Sequence, residues 1–194
     1  LKMGLLREKL PHFAASLAFG LIGLLFLKDQ GSLETNEAVH TGVSRIFIGS
    51  YSLMVYLVKW LVPYEMSPLY PYPQHLSVLH YLSLPAAIAV FAFVYLAFRR
   101  NWRATVFGFA FFFFNIAFLL QILGAGQGYL ADRFTYIAFT GLFFSSAFGL
   151  QKFLEKSPNS RLPAIVAAGL YLAILATMSY RQTRIWTNSE TLWT

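Results

Sequence analysis

Gly124-Ala125-Gly126-Gln127-Gly128-Tyr129-Leu130-Ala131-Asp132-Arg133 is a short polar turn set between two apolar runs. Ala104–Leu123 precedes it, uncharged, with Asn115 and Gln121 as its strongly polar residues; Phe134–Leu150 follows and carries no charge. About 20 apolar residues cross a bilayer core as a helix, and about 17 can suffice. The stretch therefore predicts a transmembrane hairpin with an acid and a base, Asp132 and Arg133, at the end of a membrane helix. Charges at that position are costly and face protein or water rather than lipid. The reading is an integral membrane protein with a polar site at one bilayer face.

Composition agrees. The chain is 57% hydrophobic and 12% charged, against about 25% charged residues in soluble domains. Its 20 Phe, 11 Tyr and 4 Trp suit a lipid-facing surface with aromatic belts. With no cysteine there is no disulfide framework. The net charge of +7 does not point to nucleic acid, because the basic residues sit in short clusters between apolar runs, the pattern of topology signals. His75 and His80 would not share a helix face, and no acid or cysteine completes a metal set with them. Gly124, Gly126 and Gly128 follow no strand and make no nucleotide loop. No metal or other cofactor is expected.

Outward from the hairpin, four more apolar segments are found: Leu10–Leu27, Ile46–Val62, Leu79–Phe98 and Leu162–Tyr180. Pro11 falls at the start of the first, Pro85 should kink the third, and Pro163 sits in the first turn of the last. Lysines and arginines of short loops favour the cytoplasm. That places Lys2, Arg7 and Lys9, then Arg99, Arg100 and Arg103, then Lys152, Lys156 and Arg161 inside. The loop 124–133 and the tail from Arg181 are then external.

Parity conflicts with six crossings, because segments one and three must be joined on the outside. The second segment resolves this. Arg45, Gly49, Ser52, Tyr56 and Lys59 form one polar or small stripe on a helix, which can lie in the interface or line a cavity. The expected fold is an all-α, polytopic helical membrane bundle of five spans plus one non-crossing, interfacial helix; six spans is the open alternative. Gly141, Ser145 and Gly149, and Gly169 with Ala173, are small-residue stripes that allow close helix packing. Residues 1–180 form the membrane domain, and 181–194 an external juxtamembrane segment.

Three external elements are candidates for chemistry. Tyr64–Pro73 carries Pro68, Pro71 and Pro73, which exclude regular helix; it is a rigid loop or the wall of a cleft. In Ala131–Tyr136, Arg133 offers a fork of donors to a lipid-linked phosphate, and Asp132 either orients Arg133 or meets a base elsewhere. In Tyr180–Trp193, Arg181 and Arg184 lie a turn apart beyond the last segment, against the positive-inside tendency, which favours a phosphate or headgroup partner. Lys59 is the fourth basic candidate.

Several stretches occur together in order: Glu8-Lys9-Leu10-Pro11, Tyr56-Leu57-Val58-Lys59 with Pro63 and Ser67-Pro68-x-Tyr70-Pro71, Ala131-Asp132-Arg133-Phe134-Thr135-Tyr136, and Arg184-x-Trp186-x-Asn188-Ser189-x-Thr191-Leu192-Trp193. This order resembles the C-terminal half of the membrane domain of bacterial proteins with tetratricopeptide repeats, similar to the transmembrane-and-tetratricopeptide protein O-mannosyltransferases. The resemblance implies a glycosyltransferase of the C superfamily, moving a sugar from a polyprenyl-phosphate carrier to an external protein or glycan acceptor. It implies a bacterial inner membrane, and a repeat domain outside the membrane following Trp193. The family's catalytic acids lie in a loop that nothing here matches, so no catalytic residue is expected in this chain, which reads as a piece of a longer one. The lipid-phosphate contacts it implies are Arg133, Lys59, Arg181, Arg184, Asp132 and Tyr136. The competing expectation is a non-enzymatic membrane anchor for the repeat domain.

Overall fold

The computed structural model describes residues 3–29, 42–120 and 128–184. Among them the chain is all-α, with six helices. They are α1 (Met3–Asp29), α2 (Gly42–Leu61), α3 (Val78–Arg99), α4 (Arg103–Ile116), α5 (Thr135–Lys156) and α6 (Arg161–Thr183). One small antiparallel ribbon pairs β1 (Tyr70–Pro71) with β2 (Gly128–Leu130). Among the described residues, three helical stretches are long and apolar enough to cross a membrane: Val78–Arg99, Asp132–Lys156 and Arg161–Thr183. The protein is a membrane protein built as a helical bundle.

α3, α4 and α5 form the packed centre. Phe91 of α3 meets Phe109 and Phe113 of α4 edge-on, with centroids 5.5 and 5.1 Å apart. Phe112 stacks on Phe139 of α5 at 6.1 Å, and Phe107 meets Phe144 at 5.7 Å. The numbering of the α4–α5 pairs runs in opposite senses, and Phe93 of α3 meets Trp102, just before α4, at 6.4 Å, so α4 is antiparallel to both neighbours and α3 and α5 begin at the same end of the bundle. Between α4 and α5, Gly108 and Gly141 touch directly: a β-carbon on Gly141 would stand 2.5 Å from the Gly108 carbonyl oxygen.

Two expectations need correction. Pro11 does not start a helix. α1 begins two turns earlier, at Met3, and continues through Pro11, whose missing N–H leaves one helical bond unmade. The first arm of the hairpin is shorter than a full span: α4 ends at Ile116 and tightens into a 3₁₀ turn, Ala117–Leu119. β2 pairs with β1, and its Gly128 and Leu130 are buried. α3 runs from Val78 to Arg99 with Pro85 inside it.

The path of α2 relative to the other helices is set by contacts at its two ends. Near its start Phe47 packs on Tyr81 and Tyr51 stacks on His80 at 4.2 Å, both partners lying in the first turns of α3. At its far end the Tyr171 hydroxyl, midway along α6, donates to the Leu61 carbonyl at 2.7 Å. Five residues later the chain is back near the end of α6, where Gln182 Nε2 donates to the Met66 carbonyl at 3.1 Å. Tyr171 and Gln182 are about three helical turns apart, roughly 16 Å. α2 thus descends obliquely to mid-depth, and the chain climbs back to the end at which it entered. Non-helical backbone at that depth is tolerated only where protein satisfies it. Tyr171→Phe removes the donor to Leu61 and should lower stability by about 1–3 kcal/mol, read as the midpoint of unfolding in mixed micelles; an unchanged midpoint would show the carbonyl satisfied another way.

Candidate functional site

The climbing segment and the turn before α5 are tied together by one ion pair. Lys59 Nζ stands 3.0 Å from Asp132 Oδ1 and 3.1 Å from Oδ2, with the two side chains 3% and 10% exposed. The Lys59 ammonium also donates to the Glu65 carbonyl at 3.1 Å and to the Tyr70 hydroxyl, over whose ring it sits at 4.5 Å. Asp132 Oδ2 receives the Ser67 N–H at 2.7 Å and the Tyr70 hydroxyl at 2.8 Å. Glu65 adopts a left-handed φ of 43°, uncommon outside glycine, which turns its carbonyl into this knot. A buried charge pair survives when its remaining lone pairs and protons are also satisfied, and here Glu65, Tyr70 and Ser67 satisfy them.

Local sequence explains the geometry. Lys59 lies in the last turn of α2, on its buried stripe with Ser52 and Tyr56. The Tyr56 hydroxyl brackets Ala131, accepting its N–H at 3.2 Å and facing its carbonyl at 3.3 Å. Asp132 opens a 3₁₀ turn, Asp132–Phe134, and the Thr135 hydroxyl donates to its carbonyl at 2.8 Å. The prolines around Tyr70 keep that segment extended, so it can pair with β2 in the register Tyr70 to Leu130. Burial, and then the hydrogen bond to Asp132, raise the Tyr70 phenol above its ordinary value. Burial, reinforced by Tyr51 and Tyr64, pushes the Tyr129 phenol up to about 12. Both hydroxyls stay protonated near neutral pH, and that of Tyr70 donates to Asp132.

Beside the knot lies a groove of about 550 Å³. Met66, Ser67 and Pro68 form its back, Tyr136, Phe139 and Phe143 of α5 one wall, and Gln182 of α6 the other. Arg133 lines the mouth, exposed, with its guanidinium carbon 5.4 Å over the Phe134 ring. Among the described residues Arg133 has no salt-bridge partner, because Asp132 turns to Lys59. Tyr136 is 86% exposed beside it. Arg181 and Arg184 are exposed at the end of α6 and flank Gln182 in sequence. The arrangement offers a cation at a polar mouth and a floor of aromatic rings, the profile of an anionic amphiphile.

The candidate residues thus divide. Arg133, Asp132 and Tyr136 line the groove, and Arg181 and Arg184 lie at the same end of the bundle. Lys59 is withdrawn: its donors are taken by Asp132, Tyr70 and Glu65, which removes it from contact with a phosphate. Of the two roles open to Asp132, meeting a base elsewhere is the one the structure contains. Sequence reasoning gave no role to Tyr70, Ser67 or Gln182. The first two stood in the proline motif, but nothing local marks a contact 62 or 65 residues away. Among the described residues no cluster of His, Asp and Glu could hold a metal. Residues 121–127 of the hairpin and the tail from Ile185 lie outside the described residues. No family model, curated protein or solved structure matches this chain.

Proposed function

We propose that this chain is part of a membrane glycosyltransferase-like protein, and that its groove holds the phosphate of a polyprenyl-phosphate-linked sugar during transfer to an external protein or glycan acceptor. The observation that carries this reading is the split of two adjacent charges: Asp132 is locked onto Lys59, while Arg133 is left at the mouth of an aromatic-floored groove. Such a transfer needs donors where negative charge grows on the leaving phosphate. Arg133 supplies a bidentate fork there, and Arg181 and Arg184 add positive field at the same end. No residue of this chain is assigned as the catalytic base for the acceptor hydroxyl. In this reading the groove mouth faces the outside of a bacterial inner membrane, with the clusters at Arg99–Arg103 and Lys152–Arg161 on the cytoplasmic side.

The test is transfer by the full-length protein carrying Arg133→Ala, with Arg133→Lys beside it. Loss of one positioned donor should lower turnover by about 100-fold, with Lys recovering part, since it keeps charge but not the fork. If Arg133→Ala inserts normally and transfers at the wild-type rate, the reading fails, and an anchor that merely holds an external repeat domain takes its place.

A further inference from the structure

The opposite end of the bundle, one length of α5 or roughly 30 Å from Arg133, is strongly basic. Arg99, Arg100 and Arg103 lie where α3 passes into α4, and Lys152, Lys156 and Arg161 where α5 passes into α6. All are exposed, and among the described residues none is in a salt bridge. The acid beside them, Glu155, receives the Gln151 side-chain amide at 3.0 Å. The tendency of short loops to hold bases on one side of a membrane accounts for their number. It does not account for how two of them are placed. α4 and α5 cross with Phe107 against Phe144 at 5.7 Å. Arg103 stands one turn before Phe107, and Phe148, stacked on Phe144 at 6.4 Å, stands one turn after Phe144. The antiparallel register thus sets Arg103 level with Phe148. Lys152, one turn further out, folds back until its ammonium lies 4.9 Å over the Phe148 ring. Side chains lean toward the N-terminus of their own helix, so Arg103 leans outward at the start of α4 as Lys152 leans inward near the end of α5. The two cations converge over one cleft between the helices. Beneath them Phe148, Phe144, Phe107 and Phe111 form a continuous run of rings, the last pair 6.2 Å apart. Phe107 is 59% and Phe144 49% exposed, so the run opens outward. Trp102, with the Arg100 guanidinium carbon 5.8 Å over its ring, marks the headgroup level beside it.

We propose that this cleft binds an anionic phospholipid of the bilayer, its phosphate between Arg103 and Lys152 and one acyl chain along the phenylalanine run. Cations above an outward apolar strip match a molecule charged at one end and hydrocarbon at the other; a soluble phosphate has nothing to lay on the rings. Arg99, Arg100, Lys156 and Arg161 surround the pair with positive field. That field favours a lipid of net negative charge over a zwitterionic one, whose ammonium group it repels. The site does not depend on the reading of the Arg133 groove.

The test places the full-length protein in phosphatidylcholine nanodiscs with a small fraction of phosphatidylglycerol carrying a diazirine midway along one acyl chain. After photolysis the tag should fall on Phe107, Phe111, Phe144 and Phe148. Arg103→Gln with Lys152→Gln should lower it by about tenfold or more, through the lost attraction of two bases. Lys152→Gln alone should lower it by about fivefold, and serves if the double variant inserts poorly. Arg99→Gln with Arg161→Gln removes as much charge from the same end without touching the cleft, and should leave the tag within about threefold. An equal drop in both double variants overturns the site, because the attraction is then diffuse. A diazirine phosphatidylcholine that labels the same rings as strongly also overturns it, by making the strip ordinary lipid-facing surface. Arg133→Ala should leave the tag unchanged; a tag lost with Arg133 would place the probe in the groove and overturn the proposal.

Discussion

Asp132→Ala should destabilise the folded chain by about 3–5 kcal/mol, because it leaves the Lys59 ammonium buried against a carbonyl and a phenol. The Lys59 side chain is 3% exposed. The same substitution frees the Ser67 N–H and the Tyr70 hydroxyl, so the climbing segment loses its hold on the turn before α5. Asp132→Asn keeps the shape and one acceptor and should lose less. Lys59→Met combined with Asp132→Leu removes both charges together and should regain much of the deficit, since a buried pair is often no more stable than its hydrophobic replacement. The measurement is reversible unfolding in mixed micelles for all four proteins. If Asp132→Ala unfolds with wild type, the pair contributes nothing and the knot is not what holds the groove's back wall. The double variant is informative about function as well: it would be stable yet free to let Arg133 wander, so headgroup binding should fall while the fold persists.

The knot also shows where a one-dimensional reading ends. Hydrophobic runs identified the helices because a membrane helix must be apolar over about 20 residues whatever its neighbours are. Lys and Arg clusters favoured a non-crossing α2 with six spans as the alternative, and in the structure α2 ends with Leu61 clasped by Tyr171, midway along α6. The descent could not be read in advance. The stripe Arg45, Gly49, Ser52, Tyr56, Lys59 states that one face is protected, and is silent on whether protein or headgroups protect it. Arg133 and Asp132 drew attention as charges beside a span, but their division of labour depends on Lys59, whose contact with Asp132 bridges 73 positions of sequence. Tyr70 escaped notice for the same reason, and the ribbon because strands of two and three residues have no periodicity to detect. Pro11 misled because proline marks a helix start only statistically.

Gly141→Leu should be comparably damaging, through a different mechanism. The small-residue stripe on α5 suggested close packing without saying against what; the partner is Gly108 of α4. A β-carbon on Gly141 would lie 2.5 Å from the Gly108 carbonyl oxygen and 3.0 Å from the Phe111 β-carbon, and one on Gly108 would lie 2.3 Å from the Gly141 carbonyl oxygen. Backbone atoms cannot turn aside as side-chain tips do, so α4 and α5 must separate. Overpacking a close-fitted site costs about 1–3 kcal/mol for added methylenes, and a backbone clash with a branched side chain belongs at or above the top of that range. Gly149 and Gly169 supply internal controls, because a β-carbon at either meets nothing within 4 Å; Gly149→Ala and Gly169→Ala should unfold with wild type. The consequence reaches the groove, since the Gly108–Gly141 crossing sets how α5 sits and hence where Asp132 and Arg133 stand relative to α2. Gly141→Leu should therefore lower unfolding stability and headgroup binding together, whereas Arg133→Ala lowers binding alone. A Gly141→Leu protein that keeps both would mean that the two helices do not meet at their glycines and that the floor beneath Arg133 is built some other way.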